Sequence, residues 1–184
     1  ILDKLMEPER VLEARFQVEM DSGEQETFYG NRDQYNDARG PMKGGIRFAY
    51  SGKDAADAQK DAYSDASALS LWMMNKVAVV GLPLGGAKGE VVLNREPGKD
   101  PRGDYTKADL SRIMRGYVRA MMSQDKNAFG PYKDIPAPDV GTSVEVNSEQ
   151  KNDLMAIFLD EYLKILAESG QIEIPDVQVS SDPT

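Results

Sequence analysis

Cysteine and histidine are both absent from this chain. Without cysteine there is no disulfide framework, no thiolate metal site and no cysteine nucleophile. Without histidine the commonest general base and the commonest zinc ligand are gone. Acid–base chemistry therefore falls to Lys, Asp, Glu or Tyr, and no metal site is expected. Long hydrophobic runs are missing too. The longest, Val77 to Leu84, is broken by Gly81 and Pro83, and it falls short of the roughly 18–20 residues that a spanning helix needs. No basic leader precedes an apolar segment, so no secretory signal is read. Basic residues are outnumbered, 22 Lys and Arg against 31 Asp and Glu, for a net charge of −9. Nucleic acid, which normally needs a basic face, is not an expected partner, and neither is a membrane. The acidity reads as a solubility device. It also raises the question of which lysines sit in places that look buried.

A length of 184 residues, with 40% hydrophobic and 29% charged side chains, suits one soluble globular domain. Residues 1–170 are expected to form it, and 171–184 to be a tail or linker. The expected compartment is the cytoplasm, or an organelle matrix if an upstream targeting segment is missing.

Leu12 to Met20 alternates apolar and polar residues, the period of a half-buried strand. Asp21-Ser22-Gly23 reads as a turn, with a return strand beginning at Thr27 to Tyr29. Residues 31–39 read as a loop or irregular strand, and Gly44 to Phe48 as a glycine-hinged strand. Asp54 to Asn75 carries apolar residues at helical spacing. Val77 to Val80 then reads as a short buried strand, Gly81 to Gly89 as a glycine-rich loop, and Val91 to Leu93 as another strand. Thr106 with Asp109 resembles a helix N-cap, followed by an apolar face from Leu110 to Met121. Ile135 to Thr142 reads as a loop. Asp153 to Glu168 reads as an amphipathic helix stopped by Gly170. The fold class expected from this order is α/β, a mixed sheet packed against helices. No internal repeat is visible.

Three segments combine glycines with a lysine or an aspartate: Gly40 to Phe48 around Lys43, Leu82 to Gly89 around Lys88, and Ile135 to Thr142 around Asp139. Glycines let a backbone approach a ligand closely. Each charged residue also has a plain structural reading. Lys43 can be a turn lysine, Lys76 a cation at a helix C-terminus, Lys88 a solvated loop residue, and Asp139 a turn former with Gly141. Lys88 follows Ala87 and precedes Gly89, so the phosphate-cradling Gly-Lys-Ser/Thr pattern fails, and no segment reads G-x-G-x-x-G. These residues contain no cofactor-binding motif.

In order and spacing, the three segments resemble the N-terminal domain of the glutamate, leucine, phenylalanine and valine dehydrogenase superfamily. Leu82-Pro83-Leu84-Gly85-Gly86-Ala87-Lys88-Gly89 is similar to its catalytic-lysine motif, and Pro136-Ala137-Pro138-Asp139-Val140-Gly141-Thr142 to its catalytic-aspartate motif. Lys76 matches the position of a substrate lysine. Lys43 stands where members acting on branched or aromatic amino acids carry an apolar residue, which places the resemblance in the glutamate branch. A buried ammonium there suits a side-chain carboxylate, whereas an apolar substrate would leave it unpaired at a cost of several kcal/mol. The similarity covers roughly residues 11–166.

The resemblance implies a substrate-binding and oligomerisation domain without its nucleotide-binding partner. It implies reversible deamination of L-glutamate to 2-oxoglutarate and ammonia, with NAD or NADP bound mainly by the missing domain. Lys43 would hold the side-chain carboxylate and Lys76 the α-carboxylate. Lys88 would act at the reacting carbon, its pKa lowered by burial and cationic neighbours, and Asp139 would serve as general acid and base. All four are expected to line one cleft. A homo-oligomer is implied, up to a hexamer, with the strand at 12–20 at its contact. The alternative is a non-catalytic relative that binds 2-oxoglutarate or glutamate, or that only oligomerises. The chain departs from the pattern at Glu90, where a second glycine is usual. Glu90 can face the site or point away.

Overall fold

A computed structural model of the chain describes residues 7–50, 52, 54–95, 105–142 and 153–172. Within them the strands β1 (Arg10–Glu19), β2 (Gln25–Asn36), β3 (Met42–Tyr50), β4 (Gly85–Leu93) and β5 (Asp134–Pro138) form one sheet in the order β1-β2-β4-β3-β5. β2 runs antiparallel to both β1 and β4, while β3 is parallel to β4 and to β5. Helix α1 (Ala55–Val79) covers one face. Helices α2 (Lys107–Gln124) and α3 (Leu154–Glu168) cover the other. The expected α/β class is what the chain adopts.

Alternation assigns the faces, because neighbouring residues of a strand point to opposite sides. Leu12, Phe28, Ile46, Phe48, Val91 and Leu93 pack under α2 and α3 with Ile113, Tyr117 and Phe158, and this is the main core. Tyr29 and Val92 meet Ala58 and Ala62 of α1 in a smaller cluster. The small residues Ala58, Ala62, Ala66 and Ser70 form the buried stripe of α1, which lets the helix lie close to the sheet. At Gly86 the approach leaves no room for a side chain, since a Cβ there would stand 2.5 Å from the Met74 nitrogen.

Several elements differ from the sequence reading. Val77 to Val80 is not a strand; α1 continues to Val79, and only Val77 of the four is buried. The helix ends where Gly81 takes φ 74°. Leu82 N–H donates to the Val77 carbonyl and Gly81 N–H to that of Ala78, the pattern of a glycine-terminated helix. A short apolar run cannot be told from a buried helical turn by period alone. The glycine-rich stretch is a loop only as far as Leu84, because β4 starts at Gly85. Residues 31–36 take the irregular-strand alternative, since they belong to β2 with an irregularity between Gln34 and Asn36. Asp134 to Pro138 is an edge strand rather than a loop, and its alternate prolines can turn their missing donors away from β3. The expected tail beyond 172 lies outside the described residues.

Candidate active site

Lys88, Glu90 and Gly86 share the α1 face of β4. Lys43, Gly45 and Arg47 share that face on β3, which follows from the pairings Lys43↔Gly86 and Arg47↔Glu90. Asp139 follows directly on β5, whose Ala137 pairs with Gly45. Asp139 therefore has to reach across β3 to meet β4, and Gly45 makes this possible. A Cβ at Gly45 would stand 2.7 Å from that of Asp139. With hydrogen in its place, the Asp139 carboxylate passes over the strand and pairs with the Lys88 ammonium.

The aspartate is fixed from behind. Its backbone N–H donates to Thr142 Oγ1 (2.8 Å), and Thr142 Oγ1 donates to the Ile46 carbonyl (2.7 Å). Val140 N–H donates to Asp139 Oδ1 (2.6 Å), and Phe48 N–H donates to the Val140 carbonyl (3.0 Å). Gly141 turns the chain at φ 76°, where a Cβ would press on Phe48. The loop is thus a tight knot tied to the middle of β3, and it presents one carboxylate.

Lys88 is 4% exposed. Burial, and next the Arg47 guanidinium, lower its pKa to about 8, against the opposing pull of Glu90. A lysine in that state exchanges its proton near neutrality. Lys43 is half-buried at the start of β3, and burial followed by Arg32 lowers its pKa as well. Lys76, in the last turn of α1, is exposed. Lys76 and Lys88 line one cavity of about 650 Å³, whose walls are Leu69, Trp72, Met73, Asn75, Val79 and Val80. The geometry thus joins Lys88 to Asp139 by contact and Lys88 to Lys76 by a shared hollow. Lys43 joins them by sharing the sheet face, and it does not line that hollow.

The family model of the Glu/Leu/Phe/Val dehydrogenase dimerisation domain matches residues 8–164. The chain belongs to that family. NAD-specific glutamate dehydrogenase of Staphylococcus aureus (strain COL) is 41% identical to this chain over 160 residues, 87% of the chain and 32% of that protein. Catabolic NAD-specific glutamate dehydrogenase RocG of Bacillus subtilis (strain 168) is 38% identical over 161 residues, 88% of the chain and 31% of the relative. Among solved structures, glutamate dehydrogenase from Peptoniphilus asaccharolyticus superposes with a TM-score of 0.71 at 34% identity, covering 90% of this chain and 35% of the other. The hetero-hexameric glutamate dehydrogenase from Thermus thermophilus gives a TM-score of 0.67 at 30% identity, covering 90% and 33%. The chain spans about a third of the length of the relatives it matches.

Other charged residues join this cluster. Arg47 stands 3.8 Å from both Asp65 and Asp139 and so belongs to the charged cluster. Asp33 is fully buried on β2 directly opposite Lys88. Glu90 turns toward the site and is 7% exposed. Strand alternation alone would have placed Glu90 beside Lys88, but the pairing of Asp33 with Lys88 needs the three-dimensional register. A different acid–base pair, Arg32 with Asp134, is buried on the opposite face, where Gln34 also donates to Asp134 (2.9 Å). That network ties β2 to the start of β5, with Gln34 Oε1 left without a partner among the described residues.

Proposed function

We propose that the chain is the substrate-binding and catalytic part of a glutamate dehydrogenase, which interconverts L-glutamate with 2-oxoglutarate and ammonia. The observation that carries this reading is the Lys88–Asp139 pair, laid over Gly45 beside a hollow that Lys76 also lines. Lys76 takes the α-carboxylate of the substrate and Lys43 its side-chain carboxylate, each through a charge-assisted hydrogen bond. In the deamination direction Lys88, once neutral, takes a proton from the attacking water. In the opposite direction its ammonium stabilises the carbinolamine oxygen. Asp139 carries protons to and from the substrate nitrogen as general acid and base. Leu69, Met73 and Val79 keep the surroundings of these charges apolar, which strengthens each interaction.

The hydride acceptor would be a nicotinamide coenzyme. In this reading a separate nucleotide-binding domain would hold that group, in keeping with relatives about three times as long. NAD is the favoured coenzyme, since both of those relatives are named NAD-specific. The complete protein works as an oligomer built from dimers, up to a hexamer. The open edge of β1 is a suitable contact, because an unpaired strand edge invites pairing. Among the described residues no helix is long and apolar enough to cross a membrane, and the cytoplasm is the proposed compartment.

The test is Lys88→Ala in the full-length protein. Turnover of glutamate is expected to fall roughly 10²–10⁴-fold, the usual range for losing an acid–base group. Binding is followed separately. Trp72 lines the hollow, so in a full-length protein whose other tryptophans are replaced by Phe its fluorescence should still respond to 2-oxoglutarate. Full turnover in the variant would overturn the role given to Lys88.

A further inference from the structure

Two buried carboxyl groups stand on either side of Lys88, and the mechanism above uses neither. Asp33 is directly across the β2–β4 ladder from it. Cβ atoms of such opposed residues on one face lie about 4.5–5.5 Å apart. Glu90 is two residues further along β4, on the same face, opposite Arg47 of β3. Both oxygens of Asp33 and Oε2 of Glu90 have no hydrogen-bond partner among the described residues. A buried polar atom left without a partner costs on the order of 1–3 kcal/mol, so a purely structural role does not explain two such groups side by side.

Their placement is nevertheless well defined. Asn31 pairs with Glu90 in register, its Oδ1 accepts the Glu90 backbone N–H (3.0 Å), and its Nδ2 donates to the Ala62 carbonyl of α1 (3.1 Å). One side chain thus pins β2, β4 and the covering helix together at this point.

We propose that Glu90 and Asp33 are positioning residues for Lys88: a flanking pair of buried carboxyl groups that holds its ammonium in the charged form and so keeps the Lys88–Asp139 pair assembled. The other groups around Lys88 set the balance. Arg47 from β3 and Arg32 from β2 oppose its charge, while Asp65 of α1 and Glu90 support it. Lys76 of α1 faces the same hollow, and Asp139 makes the direct contact. Glu90 is itself faced by Arg47, Asp65, Lys88 and Asp61, and Asp33 by Glu13 of β1 and by Arg32. Burial first, with its acidic neighbours, pushes both carboxyls up to about 7. As they ionise above neutrality, each adds a negative charge beside Lys88 when that lysine is about to lose its proton. The loss is deferred to higher pH than two neutral neighbours would allow.

The proposal rests on the reading of Lys88 as the reacting lysine only for its consequence in catalysis, so the deciding experiment needs no turnover. The full-length protein is labelled with trace acetic anhydride between pH 6 and 10, and acetylation of each lysine is followed by peptide mass spectrometry. The half-labelling pH of Lys88 is expected to fall by roughly 0.5–1 unit in Glu90→Gln and in Asp33→Asn, and further in the double variant. That of Lys164, on the far helix, should stay in place. Glu90→Asp, which restores the acid, should bring Lys88 back toward the wild-type value. If Asp33→Asn fails to fold, the two Glu90 variants decide alone. An unchanged half-labelling pH of Lys88 in folded Glu90→Gln overturns the proposal. A shifted value in a protein that shows no dehydrogenase activity would refute the proposed function and leave this inference standing.

Discussion

At the scale of single residues, the site depends on what two adjacent glycines leave out. A Cβ at Gly44 would stand 2.5 Å from the Ala87 carbonyl carbon, which is backbone of the neighbouring strand. A Cβ at Gly45 would meet the Asp139 side chain instead. The two positions therefore predict different failures. Gly44→Ala should compromise the sheet, because β3 and β4 cannot separate without losing their ladder. Gly45→Ala should leave a folded protein in which Asp139 is pushed off Lys88. Its expected signature is a native circular dichroism spectrum with turnover reduced by 10²-fold or more, since misplacing a catalytic group by about 1 Å has that effect. Near-wild-type turnover in Gly45→Ala would show that the Asp139–Lys88 contact is dispensable. The sequence made the glycines, Lys88 and Asp139 legible as candidates, because they are contiguous runs of unusual composition. It could not show why the glycines matter, because the neighbour that each one admits lies some 40 to 95 positions away. Asp33 was illegible for the same reason: nothing local marks a buried aspartate in a strand that otherwise reads as polar loop.

At the scale of elements, capping chemistry was readable and boundaries set by packing were not. Thr106 and Asp109 were expected to start a helix, and they form a complete capping box at the N-terminus of α2. Thr106 Oγ1 accepts the Asp109 N–H (3.0 Å), and Asp109 Oδ2 accepts the Thr106 N–H (3.2 Å). The box also anchors the β1–β2 turn, since Asp109 Oδ1 accepts the Asp21 N–H (2.8 Å). Thr106→Ala should therefore destabilise the protein by about 1–2 kcal/mol, seen in urea denaturation as a lower midpoint with unchanged slope. A loss below about 0.3 kcal/mol would mean that Arg112, which pairs with Asp21 at 2.5 Å, holds this corner by itself. The end of α1 and the existence of β5 are a contrasting case. Val77 to Val80 has the composition of a strand, yet it stays helical because Gly81 and Leu82 close the helix one turn later. Ile135 to Pro138 has the composition of a loop, yet it pairs with β3 because an edge position tolerates its prolines.

For the molecule as a whole, the arrangement buries two carboxyl groups, with oxygens that lack hydrogen-bond partners among the described residues, between a sheet and one helix, and stability should record this. Asp33 and Glu90 are raised by burial to about 7 in the folded state, well above the ordinary carboxylate range near 4 that they recover on unfolding. The folded state therefore binds their protons more tightly. Their contribution is fully present below about pH 4 and is lost as pH rises toward 7. Asp125, lowered first by the Asn127 backbone and then by Arg10 beside it, acts in the opposite sense: its contribution is present above about pH 4 and lost below. Self-repulsion at a net charge of −9 adds to the first trend. The protein should thus be most stable between about pH 4.5 and 6, rather than at pH 8. Moving from pH 8 to pH 5.5 should gain on the order of 2–4 kcal/mol, or several degrees in melting temperature. Asp33→Asn combined with Glu90→Gln should flatten the curve over that interval, because neutral side chains of the same shape have no proton to hold. Calorimetry of the wild-type and double-variant proteins at the two pH values decides the matter. Equal slopes in both would mean that the dependence on pH comes from surface charge, and that the two acids beneath α1 remain ionised in the fold.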